Sequence, residues 1–461
     1  MNPMCAKTLE DRINEHGNPA KMLYHSQMGR YAFPVPSEFT HWMEEMRAWR
    51  ETAALMDQSF HMTDLYVKGP DTIKLLSDLA VNSFAGFGRN KAKQLVCVSH
   101  KGYVIGDAIV FGLEDDEVNI VGRPILPNWV QFFAETGGYD VEVVRDQRSL
   151  DDPDKPRLTY RYEVQGPKAL DILNMVNEGG PLTTKFFNMG RITIAGCEAR
   201  TLSHGMGGQQ GLEIWGPVED GPKVKAALLE AGAEFGMRQV GARAYAAAAA
   251  ESGWVPSPLP AIYAGAFMEP YRKWLGANSF EALASLGGSF VSDNIEDYYL
   301  TPWDLDYGRV VKFDHDFIGR DALEKMAAGP HRQKVTLVWK AEDVAAAYAG
   351  LMDHDGLAPK HMEMPAAHYA AHPYDKVTKD GRFVGLSIAP AYSPGERAWI
   401  SLAILDADVA ETGTEVTVTW GEPDGGSDKP TVERHRQVEI RAEVHPWPIH
   451  EAARLGYRSQ T

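Results

Sequence analysis

Cysteine is scarce in this chain. Cys5, Cys97 and Cys197 are odd in number and far apart in 461 residues, so neither a disulfide framework nor a paired zinc site has the residues it needs. A reduced, cytoplasmic protein is expected. Long apolar runs are also missing, and no window approaches the length of a membrane span. The opening residues Met1 to Arg12 lack the apolar stretch of a signal peptide, which predicts a protein that stays where it is made. Basic charge is short as well: 46 Lys and Arg face 63 Asp and Glu, a formal charge of -17. That balance argues against a nucleic-acid or anionic-membrane partner, which needs a basic surface for phosphates. An anionic substrate must then be met by locally placed Arg or Lys. Oligomeric state is not legible.

The common catalytic signatures are missing too. Gly205-Met206-Gly207 opens like a dinucleotide fingerprint, but the third glycine is out of register and a strand follows instead of a helix. There is no phosphate loop, no His-Glu-x-x-His and no serine-hydrolase elbow. His61, His100, His204 and His315 are scattered, so no metal is expected.

What is present reads as mixed α+β followed by a β-rich end. Trp42, Met43, Met46, Trp49, Ala53 and Leu55 recur at helical spacing, predicting an amphipathic helix over Thr40 to Met56. A strand from Asp57 to Val67 then runs into Gly69-Pro70. Further strands are predicted at Gln94 to Val98, Tyr103 to Phe111, Val118 to Val121 and Val141 to Val144, with a helix over Pro127 to Thr136. Residues 68–150 form a candidate subdomain. The pattern of strand, Gly-Pro and helix recurs at Arg161 to Val176, which suggests an internal duplication. Asp220 to Phe235 is a predicted helix, and five alanines, Ala246 to Ala250, favour another. Residues 253–300 are rich in Pro, Gly, Ser and aromatics, an insertion of the kind that often serves as a cover. After Gly329-Pro330 the texture changes to strands at Lys334 to Trp339, Phe383 to Ile388, Ala398 to Leu405, Glu415 to Trp420 and Val438 to Val444. An antiparallel β-barrel or sandwich is expected over 330–461.

Three residues carry candidate chemistry. In Gly211-Leu212-Glu213-Ile214-Trp215 the strand period sets Glu213 and Trp215 on one face. A carboxylate beside an indole suits a flat heterocycle with N–H donors; a solvated Glu on an edge strand is the competing reading. Arg123, beyond a strand and before a helix, is placed to clamp a carboxylate bidentately or to form a surface ion pair. Tyr245 is either a core phenol or a proton donor.

Several strings, in order, resemble the aminomethyltransferase family, the T-protein of glycine cleavage and its folate-dependent relatives. They are Gly102-Tyr103-Val104-Ile105-Gly106-Asp107, Gly211-Leu212-Glu213-Ile214-Trp215, Val240-Gly241-Ala242-Arg243 and Lys312-Phe313-Asp314-His315-Asp316-Phe317-Ile318-Gly319-Arg320. A closer resemblance is to the tetrahydrofolate-dependent O-demethylases of methoxylated aromatic acids, of the vanillate and 3-O-methylgallate type. It is carried by Ser26-Gln27-Met28-Gly29-Arg30-Tyr31, Asn90-Lys91-Ala92-Lys93-Gln94, Lys185-Phe186-Phe187-Asn188-Met189, the run Glu251 to Tyr263, Gly287-Gly288-Ser289-Phe290-Val291-Ser292 and Asn294-Ile295-Glu296-Asp297-Tyr298-Tyr299. The family's T-proteins show two adjacent acids where this chain has Gly106 before Asp107, which argues against an aminomethyl substrate.

The resemblance implies a folate-binding region over 1–329 and methyl transfer from an aryl methyl ether to N5 of tetrahydrofolate. A phenolate whose conjugate acid has a pKa of about 10 leaves poorly unless it is protonated. Tyr245 is the expected donor, with Tyr31 in reserve. Glu213 and Gln165 are expected on the pterin edge, Trp254 against the pterin and Asp107 near N5. Arg123 is expected on the substrate carboxylate, and Gln58 and His61 along the aromatic pocket. Arg243 is either structural or a contact for the folate tail. The competing classes are a folate-dependent transferase acting on an aliphatic substrate and a folate-binding module without turnover.

Overall fold

The computed structural model describes residues 7–28, 33–205, 209–256 and 258–455. Two sheets are built from the repeated grammar. In the first, Thr63–Lys68 leads through Gly69 into the helix Thr72–Leu79; in the second, Thr159–Gln165 leads through Gly166 into the helix Ala169–Val176. Both glycines have positive φ, +150° and +128°, and a Cβ at either would lie within 3 Å of backbone, at Asp140 and Thr52 respectively. Only glycine passes both constraints, so the echo in sequence corresponds to one structural unit used twice.

The first sheet has five strands in the order Ala92–Val98, Val104–Gly112, Glu117–Gly122, Thr63–Lys68 and Glu142–Asp146, all antiparallel. The second has six, in the order Arg238–Val240, Ala54–Asp57, Thr159–Gln165, Gly211–Pro217, Cys197–Ser203 and Met189–Ile194. Its outer face, with Tyr160, Tyr162, Val164, Leu212 and Ile214, is covered by the helices Ala169–Val176 and Gly221–Ala233. Its inner face meets the first sheet through Phe111, Val121, Met189, Leu202 and Trp215. The Phe111 and Trp215 rings pack edge to face at 4.8 Å, an arrangement worth about 0.5–1.5 kcal/mol beyond its area.

Two local expectations shift. The helix predicted over Thr40 to Met56 ends at Glu51, and Ala54–Asp57 becomes a strand paired on both sides. Sheet pairing there outweighs helical periodicity. The strand expected from Asp57 starts only at Thr63, because Gln58 to Met62 form a turn tied to the second sheet by Gln58 N–H to the Arg161 carbonyl at 2.8 Å. That turn carries two of the expected site residues.

The aromatic segment 253–300 is anchored in the core. Val255, Leu259, Ile262, Tyr263, Tyr271, Tyr298 and Tyr299 are buried in the main core with Leu95, Val96 and Trp129. Burying so many large side chains at roughly 1.5–3 kcal/mol each ties the segment down. Six strands then close a barrel in the order Gln333–Trp339, Ala398–Leu405, Arg382–Ser393, Asp375–Lys379, Glu415–Trp420 and Val438–His445. The strand Asp375–Lys379 escapes the sequence reading because one of its two buried positions is Asp375 and only Val377 is apolar. No helix among the described residues is long and apolar enough to cross a membrane.

Candidate active site

The inner face of the six-stranded sheet turns polar away from Trp215. Strand alternation puts Arg161, Glu163 and Gln165 on that face of Thr159–Gln165, and Glu213 stands opposite Glu163 in register. Glu213 is no edge residue, since its strand is paired on both sides and it is 3% exposed. One of its oxygens, Oε1, accepts from Arg161 Nη1. Arg161 Nη2 donates to Asp64 Oδ1 at 2.9 Å, and Arg157 Nη2 donates to Asp64 Oδ2 at 2.7 Å. Burial opposes the charge on Arg161, but Asp64 and Glu213 outweigh it and hold the guanidinium above its ordinary pKa. Arg161 also lies 5.2 Å from the Trp215 ring and 5.1 Å from the Phe111 ring. Glu213 is thereby oriented with Oε2 accepting no hydrogen bond from the described residues.

The turn after Ala54–Asp57 supplies the next group. Gln58 Nε2 donates to Glu163 Oε2 at 3.0 Å, and Gln165 is fully buried beside the backbone of Gly211 and Gly205. His61, three residues on, meets Tyr245: Nε2 and the phenol oxygen are 3.1 Å apart. Phe33 stacks on Tyr245 at 4.0 Å and packs on the edge of His61 at 4.5 Å. Burial pushes the His61 pKa down to about 3, and the positive charge of Arg123 pushes the same way. His61 is therefore neutral at pH 7, with Arg123 in its electrostatic range. Four expected residues thus converge from three places: Gln58 and His61 from one turn, Arg123 from the end of the strand Glu117–Gly122 and Tyr245 from the helix Ala242–Ser252.

Asp107 and Trp254 form a second cluster. Trp254 Nε1 donates to Asp107 Oδ2 at 3.2 Å. Burial raises the carboxyl pKa of Asp107 against the pull of its hydrogen bonds. The helix Ala242–Ser252 joins the two clusters, carrying Tyr245 in its first turns and ending at Gly253, whose φ of +72° turns the chain into Trp254. At 1.5 Å per residue, Tyr245 and the helix end are about 10 Å apart along the axis. The alanine run packs this helix on Trp42, Met46 and Trp49, with Ala247, Ala248 and Ala250 buried. Arg243 is held by protein: Nη1 meets Glu38 Oε2 at 3.1 Å and Nη2 donates to the Met364 carbonyl at 3.0 Å. Tyr31 lies outside the described residues.

With this geometry in place, the comparisons fix the family. The model for the GCVT N-terminal domain matches residues 9–256, more than half the chain. The chain belongs to the GCVT family. It is 47% identical over 453 residues to a syringate O-demethylase of Sphingobium sp., covering 98% of both chains. It is 29% identical to a sesamin methylene transferase of Sinomonas sp., over 84% of this chain and 86% of that one. An aminomethyltransferase of Caldanaerobacter subterraneus is 25% identical over 83% and 85% of the two chains. Among solved structures, the glycine cleavage aminomethyltransferase T of Bartonella henselae superposes with a TM-score of 0.61 over 97% of this chain and 98% of that one, at 16% identity. That likeness extends the shared fold through the terminal barrel.

For this GCVT chain, sequence reasoning missed the residues that hold the site. Arg161, Asp64 and Arg157 were not singled out, and neither were Glu163, Phe33 and Tyr307. One signal was available: Arg161, Glu163 and Gln165 alternate on a strand whose other residues are Tyr, Val and Thr, so three polar side chains share one face. Among the described residues no group of His, Cys, Asp and Glu is arranged to hold a metal.

Proposed function

We propose that this chain transfers a methyl group from a methoxylated aromatic acid to N5 of tetrahydrofolate, giving a phenol and 5-methyltetrahydrofolate. The observation that carries it is the Tyr245 hydroxyl 3.1 Å from a neutral His61, beside Arg123 and on the same inner face as a buried row of acceptors. The 47%-identical relative bears the name syringate O-demethylase, so syringate is the first substrate to try. Membership of a folate-using family supports the methyl acceptor.

The acceptor row suits a pterin. Glu213 keeps Oε2 available beside Gln165, and both are buried, so the exchange of water for ligand N–H donors is favourable only with a partner of that chemistry. Tetrahydrofolate, when bound, supplies N5 as methyl acceptor with one proton to lose. Glu213 and Gln165 hold the pterin edge, and Trp254 packs beside it. Asp107, kept near the site by Trp254, accepts the N5 proton.

Tyr245 answers the leaving-group problem. The ether carbon–oxygen bond breaks as the nitrogen–carbon bond forms, and the bond's electron pair stays on the aryl oxygen, which takes the Tyr245 proton. One proton passes overall from N5 to the phenol, so the exchange balances. A neutral His61 fixes the hydroxyl without a charge to desolvate, and the Arg123 charge favours the tyrosinate formed. Arg123 also binds the substrate carboxylate, while Gln58 and His61 border the ring.

Incubation with tetrahydrofolate and a panel of methoxybenzoates, following 5-methyltetrahydrofolate, tests the proposal. Product with syringate or a close analogue supports it. Tetrahydrofolate binding without product from any methoxyarene would leave a folate-binding module, and product only from an aliphatic donor would move the chain to the other transferase class.

A further inference from the structure

Asp107 is gripped unevenly. Gln94 Nε2 at 2.7 Å, Trp254 Nε1 at 3.2 Å and the Tyr307 hydroxyl at 3.2 Å all donate to Oδ2, while Oδ1 accepts from none of the described residues. The three donors come from three places: the strand Ala92–Val98, the turn after the helix Ala242–Ser252, and the loop before the short helix Gly308–Val310. We infer that Gln94, Trp254 and Tyr307 are a three-donor clamp that stops Asp107 from rotating and keeps Oδ1 turned to the methyl acceptor, making Tyr307 a positioning residue for methyl transfer. The inference rests on the reading of Asp107 as the group that takes the N5 proton.

A carboxylate turning about its Cβ–Cγ bond exchanges its two oxygens, and one donor does not prevent this. Three donors on a single oxygen do, because rotation would break all of them. The barrel domain supports the clamp. Lys334, buried in its first strand, donates from Nζ to the Leu305 carbonyl at 3.0 Å, two residues before Tyr307. The same ammonium sits 3.5 Å above the Trp447 ring, and a Cβ on Gly253 would lie 2.7 Å from that ring. Lys334 and Trp447 therefore back both Tyr307 and the turn that presents Trp254. The groups acting on Asp107 are these three donors and the Lys334 charge, all favouring the carboxylate, set against burial, which favours the acid.

The test is Tyr307→Phe in the full chain, which removes one donor and keeps the ring. With a methoxybenzoate turned over by the unmutated protein, kcat is expected to fall about ten-fold, with KM for tetrahydrofolate within about two-fold. The acid limb of the kcat–pH profile should move up by about one pH unit, as loss of one hydrogen bond to a charged acceptor implies. Gln94→Leu should move the limb the same way. A loss of packing alone lowers activity without displacing the limb.

A second readout does not need turnover. The Asp107 carboxyl carbon, followed by NMR with labelled aspartate and assigned through Asp107→Asn, should titrate at higher pH in Tyr307→Phe. If the unmutated chain makes no 5-methyltetrahydrofolate, the functional reading fails while this titration still judges the clamp. An unmoved carboxyl midpoint in folded Tyr307→Phe, or in Gln94→Leu should Tyr307→Phe not fold, overturns it.

Discussion

Glu213→Gln keeps the length of the side chain and removes one buried charge, and two consequences can be measured apart. The first is on stability. Breaking a buried ion pair by removing one partner costs about 3–5 kcal/mol when the remaining charge is left alone. Arg161 is not left alone, because Asp64 stays at 2.9 Å, and the amide oxygen of Gln still accepts a hydrogen bond. A loss of about 2 kcal/mol is therefore expected, below that range. The second is on tetrahydrofolate. A hydrogen bond accepted by a charged group contributes about 1.5–3 kcal/mol, so the dissociation constant should rise roughly 10- to 150-fold.

Asp64→Asn provides the comparison. It takes a carboxylate from the other side of the same guanidinium and also weakens Arg157, whose Nη2 is 2.7 Å from Asp64. It should destabilise the chain at least as much as Glu213→Gln while changing tetrahydrofolate affinity less than about three-fold, within the scatter of indirect effects. Anaerobic titration calorimetry gives the affinities and urea unfolding the stabilities. Equal weakening of tetrahydrofolate binding by the two variants would refute the reasoning, since Glu213 would then matter only as a counterion of Arg161.

Tyr245→Phe should lower kcat by about 10²-fold or more, the usual scale for a general acid, with tetrahydrofolate affinity unchanged; unaltered turnover removes Tyr245 as the donor. Arg123→Ala should raise KM for carboxylated substrates by roughly 10-fold or more, as loss of a charge-assisted pair implies, and should leave KM for the matching methoxyarene without a carboxylate unmoved. His61 titrates near 3 in the folded chain and near 6.5 unfolded. The unfolded state therefore binds the extra proton between those values, and stability must fall as pH drops from about 6.5 towards 3. Urea unfolding at pH 7 and pH 5 should show His61→Gln losing less stability on acidification than the unmutated chain.

Most of the fold was legible because its signals are local. The repeat of strand, glycine and helix is written twice, at Gly69 and at Gly166, and the barrel strands Glu415–Trp420 and Val438–His445 keep a clean alternation next to turn residues. What failed was decided by long-range partners. Ala54–Asp57 reads as the end of a helix until Thr159–Gln165 and Arg238–Val240 pair with it on both sides. The segment 253–300 reads from its Pro and Gly as an insertion, and only the fold shows that its Tyr and Leu side chains fill the main core. Composition shows that aromatic residues are there, but not which surface they face.

The candidate site divides in the same way. Residues expected to touch ligand were found as residue types at motif positions, and Tyr245 with His61, and Trp254 with Asp107, do meet. Of the residues that orient them, only Arg161 and Glu163 leave a trace in the sequence, as polar side chains on one strand face, and their partners do not, because orientation is a relation between elements distant in sequence: Arg161 lies 52 positions from Glu213 and Tyr307 lies 200 from Asp107. Both carboxylates show the same design. Glu213 gives Oε1 to Arg161, and Asp107 gives Oδ2 to its three donors, so each retains one oxygen without a donor among the described residues. An acid kept this way has one oxygen left for a ligand proton or N–H group to complete. The chain therefore holds two half-satisfied carboxylates in one fold, on sheets that the duplicated unit brings face to face. A ligand with an N–H-rich edge and one removable proton would satisfy both.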